Sequence, residues 1–172
     1  MALVLPVKKI TPEFGENCYL ADNATVVGEV RMGNNCSVWF NAVVRGDVNS
    51  IDIGDNTNIQ DGAIIHCTYK TAKTVIGNNV SIGHNAVVHG CTVKDNVLIG
   101  MGAIIMDHAI IESGSIIAAG AVVLENTLVE ANSIYAGVPA HKVKAVDEKR
   151  NSVFARTAEN YIMYADWYRE SE

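Results

Sequence analysis

Between Ile76 and Val122 the chain reads as eight consecutive units: Ile76-Gly-Asn-Asn-Val-Ser, Ile82-Gly-His-Asn-Ala-Val, Val88-His-Gly-Cys-Thr, Val93-Lys-Asp-Asn-Val-Leu, Ile99-Gly-Met-Gly-Ala-Ile, Ile105-Met-Asp-His-Ala-Ile, Ile111-Glu-Ser-Gly-Ser-Ile and Ile117-Ala-Ala-Gly-Ala-Val. Each opens on an aliphatic residue, many carry glycine or a polar side chain second, and the fifth position is small, as at Ala86, Thr92, Ala103, Ala109, Ser115 and Ala121. The register continues outward. Toward the N-terminus the opening residues are Leu20, Val26, Met32, Val38, Val44, Ile53, Ile59 and Ile65; toward the C-terminus they are Val123, Val129 and Tyr135.

A helix buries residues spaced three and four apart, and an ordinary strand pair alternates between turns. A six-residue step fits neither. It fits short strands joined by corners, with each turn of chain stacked on the last about 4.8 Å away. Three such sides make one triangular coil, closed inside by aliphatic and small residues, with Gly or Asn where a corner needs a positive φ. This ladder resembles the left-handed parallel β-helix family. The handedness comes from that resemblance, since the general rule for parallel crossovers predicts the opposite hand.

The step breaks three times. Val44 to Ile53 is long, which places an insertion near Val48–Asp52; Ile65 to Ile76 is longer, which predicts a loop over Cys67–Thr74; Val88 to Val93 is one residue short. With these breaks honoured the opening residues sort into three rows. Row A is Met32, Ile53, Ile76, Val93, Ile111 and Val129. Row B is Leu20, Val38, Ile59, Ile82, Ile99, Ile117 and Tyr135. Row C is Val26, Val44, Ile65, Val88, Ile105 and Val123.

The 172 residues suit one domain, an all-β unit with a β-helix over about 10–140 and a C-terminal α-helix over about 147–170. After Gly137-Val138-Pro139-Ala140 the spacing changes: Phe154, Ala158, Tyr161, Ala165 and Tyr168 fall on one helix face, predicting a helix packed back along the β-helix. Hydrophobic residues at 49% and charged residues at 19% indicate a folded chain rather than a disordered one. A net charge of -6 without a basic run offers no footing for nucleic acid or an anionic membrane. No stretch approaches the roughly 20 apolar residues of a membrane span. The opening MALVLPVKKI is broken by Pro6 and carries its lysines on the wrong side for a signal peptide. Cys18, Cys36, Cys67 and Cys91 form no C-x-x-C pair, so free thiols in a reducing cytoplasm are expected. Cys67, beside His66, reads as an ordinary loop thiol.

His66 and His89 both take the second position of row C in successive coils, so their imidazoles stack on one edge within reach of a shared metal. His84 takes the third position of row B, on another side of the triangle. It is poorly placed for that metal in its own chain and well placed to complete the site of a neighbouring one. The geometry therefore asks for a cyclic oligomer with a three-histidine site at each interface and a fourth position open, the catalytic zinc pattern. Arg45 lies one coil below His66 with Asp47 after it, and Asp61 lies one coil below His84 beside Gln60. Arg45 and Asp47 suit an ion pair across the subunit interface or a part in catalysis, and both can hold; Gln60 suits holding a metal-bound water or small oxyanion. His108 and His141 fall outside this pattern and read as surface residues.

Val44-Arg45-Gly46-Asp47, Asn58-Ile59-Gln60-Asp61, His66 and the His84-x4-His89 pair together resemble the γ-class carbonic anhydrases and their carbonic-anhydrase-like relatives, a likeness that runs through residues 10–170. The resemblance implies a homotrimer with zinc at each interface, iron or cobalt being the alternatives, and reversible hydration of CO2 to bicarbonate. It implies His66, His84 and His89 as ligands and Gln60 as the residue orienting a metal-bound hydroxide. Arg45 and Asp47 would serve subunit contacts and activity, Asn58 and Asp61 would be accessory pocket residues, and Tyr161 would match an aromatic entering the pocket from the helix.

Two departures from that pattern bear on rate. Val48 stands where active members carry a glutamate, and the loop Cys67-Thr68-Tyr69-Lys70-Thr71-Ala72-Lys73 lacks the acidic residues that relay protons. Metal binding with slow turnover is the expectation. Two other readings share the fold. An acyltransferase would use His84 as a general base without metal, and a non-catalytic trimer would keep the metal for assembly alone.

Overall fold

The computed structural model describes residues 1–170; within the C-terminal helix the side chains of residues 148–155, Phe154 among them, lie outside the description. The chain winds as a parallel β-solenoid of about seven turns followed by one helix, Glu148–Arg169. All three rows form as ladders. In row A, Met32 pairs with Ile53, then Ile76, Val93, Ile111 and Val129 follow in register. Row B runs from Leu20 to Tyr135 in its own eight-stranded sheet. Row C runs from Val26 to Val123.

Inside the coils the opening residues are sealed from water, with Ile59, Ile82, Ile99 and Ile117 at 0% exposure, and the small fifth residues Ala63, Ala86, Ala103 and Ala121 fill the space between them. Each such isoleucine contributes roughly 1.5–3 kcal/mol of burial. The corners carry the asparagines the register asks for: ten of them, from Asn17 to Asn132, hold φ between 52° and 61°. Asn is one of the few L-residues that tolerates this region. At one corner the side-chain amides also form a ladder, from Asn17 through Asn35, Asn56 and Asn79 to Asn96, with bonds of 3.4, 3.1, 3.0 and 3.3 Å.

The insertion expected near Val48–Asp52 forms as a bulge within one continuous strand, Val43–Ile53, which turns from row C into row A alongside Thr25–Met32 and so joins the two rows into one sheet. The structure differs from the sequence reading in two places. The solenoid begins earlier than residue 10, because Leu3–Leu5 pairs with Thr25–Val27 and Glu13–Phe14 pairs with Arg31–Met32. At the other end His141–Ala145 runs antiparallel to Ser133–Ala136, an added strand whose residues are all exposed. The break after His66 is a loop as expected, closed by a bridge between Thr68 and Ala72.

The helix lies on the outer face of row B. Ala158 and Ala165 are buried there, and Ala165 packs with Tyr19, Ala21 and Trp39. The outward side chains of this row include Ser37, Asn58 and Ser81, all buried and small enough for the helix to approach. Tyr161 and Tyr168 place their rings 5.4 and 5.6 Å from that of Trp39. Among the described residues no helix is long and apolar enough to cross a membrane.

Candidate metal centre

Strand alternation sets the first half of the site. In Ile64–His66 and Val87–His89 the middle residues, Ile65 and Val88, point into the core, so the histidines that end these strands point out. The two strands are paired with His66 opposite His89. His66 Nδ1 and His89 Nε2 face each other at 3.1 Å. Two nitrogens at about 2.0–2.1 Å from one tetrahedral zinc lie about 3.3 Å apart, close to this separation.

The opposite nitrogens are held by carboxylates. His66 Nε2 meets Asp47 Oδ1 at 3.1 Å, and Asp47 Oδ2 accepts from Arg45 Nη1 at 2.6 Å. His89 Nδ1 bonds Asp107 Oδ1, and the other oxygen of Asp107 accepts from the Thr68 hydroxyl. Burial pushes both carboxyls up, but the hydrogen bonds win: those from His66 and Arg45 hold Asp47, and those from Thr68 and His89 hold Asp107, below the usual carboxylate range. An imidazole that donates from one nitrogen to a carboxylate leaves its other nitrogen as a lone pair. In the tautomers that donate to these carboxylates, His66 and His89 turn two lone pairs toward each other, the arrangement a shared cation satisfies. The donor set fits a divalent metal.

The second half of the site sits on row B. His84 follows strand Ser81–Ile82, and its Nδ1 meets Asp61 Oδ2 at 2.9 Å, which leaves Nε2 toward the outside on a side chain that is 41% exposed. Gln60 is buried and donates to Asn58 Oδ1 at 3.0 Å, while Asn58 donates to Ser81 Oγ at 2.9 Å. This buried chain of amides beneath the helix fixes the strand Asn58–Ile59, and Asp61 lies in the turn that follows it. Tyr161 lines the same side. Its burial and the nearby Asp61 charge push its phenol up to about 12, so it stays protonated.

Arg45, Asp47, His66 and His89 thus gather on the row C edge, and Asn58, Gln60, Asp61, His84 and Tyr161 on row B. Among the described residues, no three His, Cys, Asp or Glu side chains of one chain converge to hold a metal. The Arg45–Asp47 ion pair, expected across a subunit interface, instead closes within one chain, because the two side chains lie two residues apart on the same strand and point the same way. The sequence reading missed Asp107, Thr68 and Thr74, whose hydroxyl donates to the His66 carbonyl and accepts from the Gly90 amide at 3.0 Å. Asp107 lies one place past Met106, the residue the 17-residue coil sets beyond His89, so the register alone did not put it against the imidazole. Cys67 is buried and donates to the Asn49 carbonyl at 3.2 Å, and burial pushes its thiol up. His108 occupies a corner at φ 60°, and His141 lies exposed on the terminal strand.

The family model described as "Bacterial transferase hexapeptide (six repeats)" matches residues 73–105 and 90–125. The chain is 37% identical over 160 residues to gamma carbonic anhydrase 2, mitochondrial, of Arabidopsis thaliana, covering 90% of this chain and 58% of that protein. It therefore spans a little over half the length of that plant relative. It is 44% identical over 151 residues to a probable carbonic anhydrase of Methanocaldococcus jannaschii, covering 88% of this chain and 94% of the relative. A solved structure of a putative acetyltransferase from Bacillus cereus superposes with a TM-score of 0.96 at 32% identity, covering 99% of each chain. On its coil register, its ordered motifs and these relatives, the chain belongs to the γ-class carbonic anhydrase and carbonic-anhydrase-like family of hexapeptide-repeat proteins.

Proposed function

We propose that the chain forms a homotrimer in which His66 and His89 of one copy and His84 of the next hold a zinc ion, with iron or cobalt as alternatives, and that this centre hydrates CO2 reversibly and slowly. The observation that carries this reading is the facing pair His66 Nδ1 and His89 Nε2, each ring fixed by a carboxylate behind it. The chemistry a divalent cation supplies is a water acidic enough to ionise near neutral pH.

The chain's own residues supply the rest. Asp47, Asp61 and Asp107 set the tautomers of His66, His84 and His89, so that each presents a lone pair. Gln60, locked against Asn58, keeps its carbonyl oxygen as a fixed acceptor for a water or hydroxyl at the interface. Arg45 neutralises Asp47 and lies on the edge that a neighbouring copy would cover. Proton exit is the weak step: Val48 is half-buried and apolar, and the loop after His66 presents Lys70 and Lys73 where a relay needs a carboxylate.

Metal analysis with light scattering, followed by stopped-flow CO2 hydration, tests this. One metal per chain, a threefold mass and a slow, buffer-dependent rate are expected. A metal-free monomer would sink the reading, and a rate near the diffusion ceiling would refute the missing relay. A second reading has one specific observation in its favour, the exposed His84–Asp61 pair, which has the form of a general base with its orienting carboxylate. It predicts coenzyme A-dependent acyl transfer by metal-free protein, abolished in His84→Ala.

A further inference from the structure

Where the helix crosses row B, six aromatic rings surround a recess of about 310 Å³: Trp39, Phe40, Tyr161, Tyr164, Trp167 and Tyr168. The remaining wall is Asp61. Its volume falls at the lower end of small-ligand pockets, roughly 300–1,000 Å³. Several neighbouring rings stand steeply to one another instead of stacking. Trp39 meets Tyr161 at 75° and Tyr168 at 77°, Phe40 meets Tyr168 at 60°, and Tyr161 meets Tyr164 at 70°, with centroids 5.4–5.7 Å apart. Such steep contacts are how packed aromatic rings meet edge to face, and Phe40, Tyr161 and Tyr164 pack with Trp39 and Ala165 where the helix meets the solenoid, while Trp167 and Tyr168 remain 55% and 43% exposed at the rim.

The charge in the recess has one sign. Aromatic faces carry the negative lobe of the ring quadrupole and attract cations. Asp61 adds a carboxylate; burial, with this charge adding to it, pushes the Tyr161 phenol up to about 12. No cationic side chain lines the walls among the described residues. A bare metal ion or primary ammonium would have to give up tightly held water here for a single carboxylate. A cation clad in methyl groups holds its water weakly and can rest on the ring faces.

We propose that this recess binds a small organic cation of the quaternary ammonium class, held between the aromatic faces and the Asp61 carboxylate. The site lies within one copy of the chain and adjoins the metal reading: neither His66 nor His89 contributes to it, but Asp61 and Tyr161 belong to both. Through Asp61 a bound cation would sit directly behind His84, which makes a substrate or effector carrying such a group the natural occupant.

The chain has two tryptophans, Trp39 and Trp167, and both line the recess, so its own emission reports occupancy. Intact protein is titrated at constant ionic strength with tetramethylammonium and with choline, and in parallel with 3,3-dimethylbutan-1-ol, the neutral analogue of choline. Expected is a saturable change in tryptophan emission for both cations, at least tenfold weaker for the neutral alcohol and absent for sodium chloride. Tyr164→Leu should weaken binding by about 2- to 30-fold, the range of one cation–π contact, and Tyr164→Phe should restore most of it. Trp167→Leu, at an exposed position that leaves the core intact, should weaken binding by a similar factor as read from the remaining Trp39 emission. Equal response to the neutral alcohol would overturn the proposal in favour of a merely apolar recess. Absence of a saturable response would also overturn it, and emission that changes only on dilution of the protein would identify the occupant as a second copy.

Discussion

Replacing Asp107 by alanine tests the candidate site at the residue whose role is purely structural support. Its two oxygens accept from His89 Nδ1 and from the Thr68 hydroxyl, and its side chain is only 18% exposed. Without it, nothing on that side selects the tautomer that leaves His89 Nε2 bare, and the imidazole is free to turn from His66. Loss of such a supporting carboxylate typically costs 10- to 100-fold in metal affinity, or about 1.4–2.7 kcal/mol at roughly 1.4 kcal/mol per decade. Asp107→Asn keeps one oxygen toward His89 and offers an amide to Thr68, whose hydroxyl can rotate to accept, so its loss should stay below about tenfold. Zinc affinity is read by competition with a chromogenic chelator, and thermal melting of the metal-free forms checks that both variants fold. Wild-type zinc affinity in a folded Asp107→Ala protein would refute the positioning argument. Equally weak zinc binding by all three proteins would refute the metal site itself.

Three further predictions bear on the scaffold and its thiols. Gly28 sits at φ 77°, and a Cβ there would meet the Gly46 carbonyl oxygen at 2.4 Å, so Gly28→Ala should cost upward of about 1–3 kcal/mol; it should also loosen the Arg45–Asp47 pair that flanks Gly46, visible as a lower melting temperature with altered amide exchange at those residues. Ile99 is fully buried in row B, and Ile99→Ala should destabilise by about 2–5 kcal/mol, roughly 4–20 °C for a chain of this size; an unchanged melting temperature would mean that the coil interior collapses to fill the gap. Cys18 has its thiol lowered to about 7 by the hydrogen bond with Cys36, whereas burial pushes Cys91 up to about 12. Iodoacetamide should therefore label Cys18 first, at a rate that falls as pH drops below about 7 and the thiolate takes up its proton, and mass mapping that finds Cys91 labelled first would contradict the burial pattern.

The rows were legible because a ladder with one inward residue per side tolerates no slip. A shift by one position would turn Ile59 or Ile82 to the solvent, so the aliphatic spacing alone recovered which residue of each coil lies over which. The same register put His66 above Arg45 and below His89 before any distance was known. What escaped lay where the period stops carrying information. Leu3–Leu5 and Glu13–Phe14 are separated by an irregular stretch and do not repeat six residues apart, yet they pair with Thr25–Met32. The insertion near Val48–Asp52 was legible in its length but not in its form: it stays in the strand as a bulge, Asp47–Ser50 lying opposite the single residue Glu29 between the pairs Gly28–Gly46 and Val30–Ile51. Asp107 was hidden differently: its support of His89 depends on a corner side chain folding back one coil, which no single unit displays. The aromatic recess was harder still. Trp39 and Tyr164 are distant in sequence, and only the path of the helix across row B brings them to a common cavity.

The reversed strand His141–Ala145 has a consequence for how copies can meet. A stack of parallel coils ends in an open ladder of amides and carbonyls, able in principle to accept the first coil of another molecule and so to extend without limit. Here the last rung of row B is taken by a strand of opposite polarity bearing Lys142 and Lys144 in the open, with Lys142 tied to Glu130 at 2.6 Å. An incoming solenoid at that edge would find its hydrogen-bond direction mismatched and two ammonium groups in its way. Fibre-like growth is thereby hindered along this edge of the coil stack.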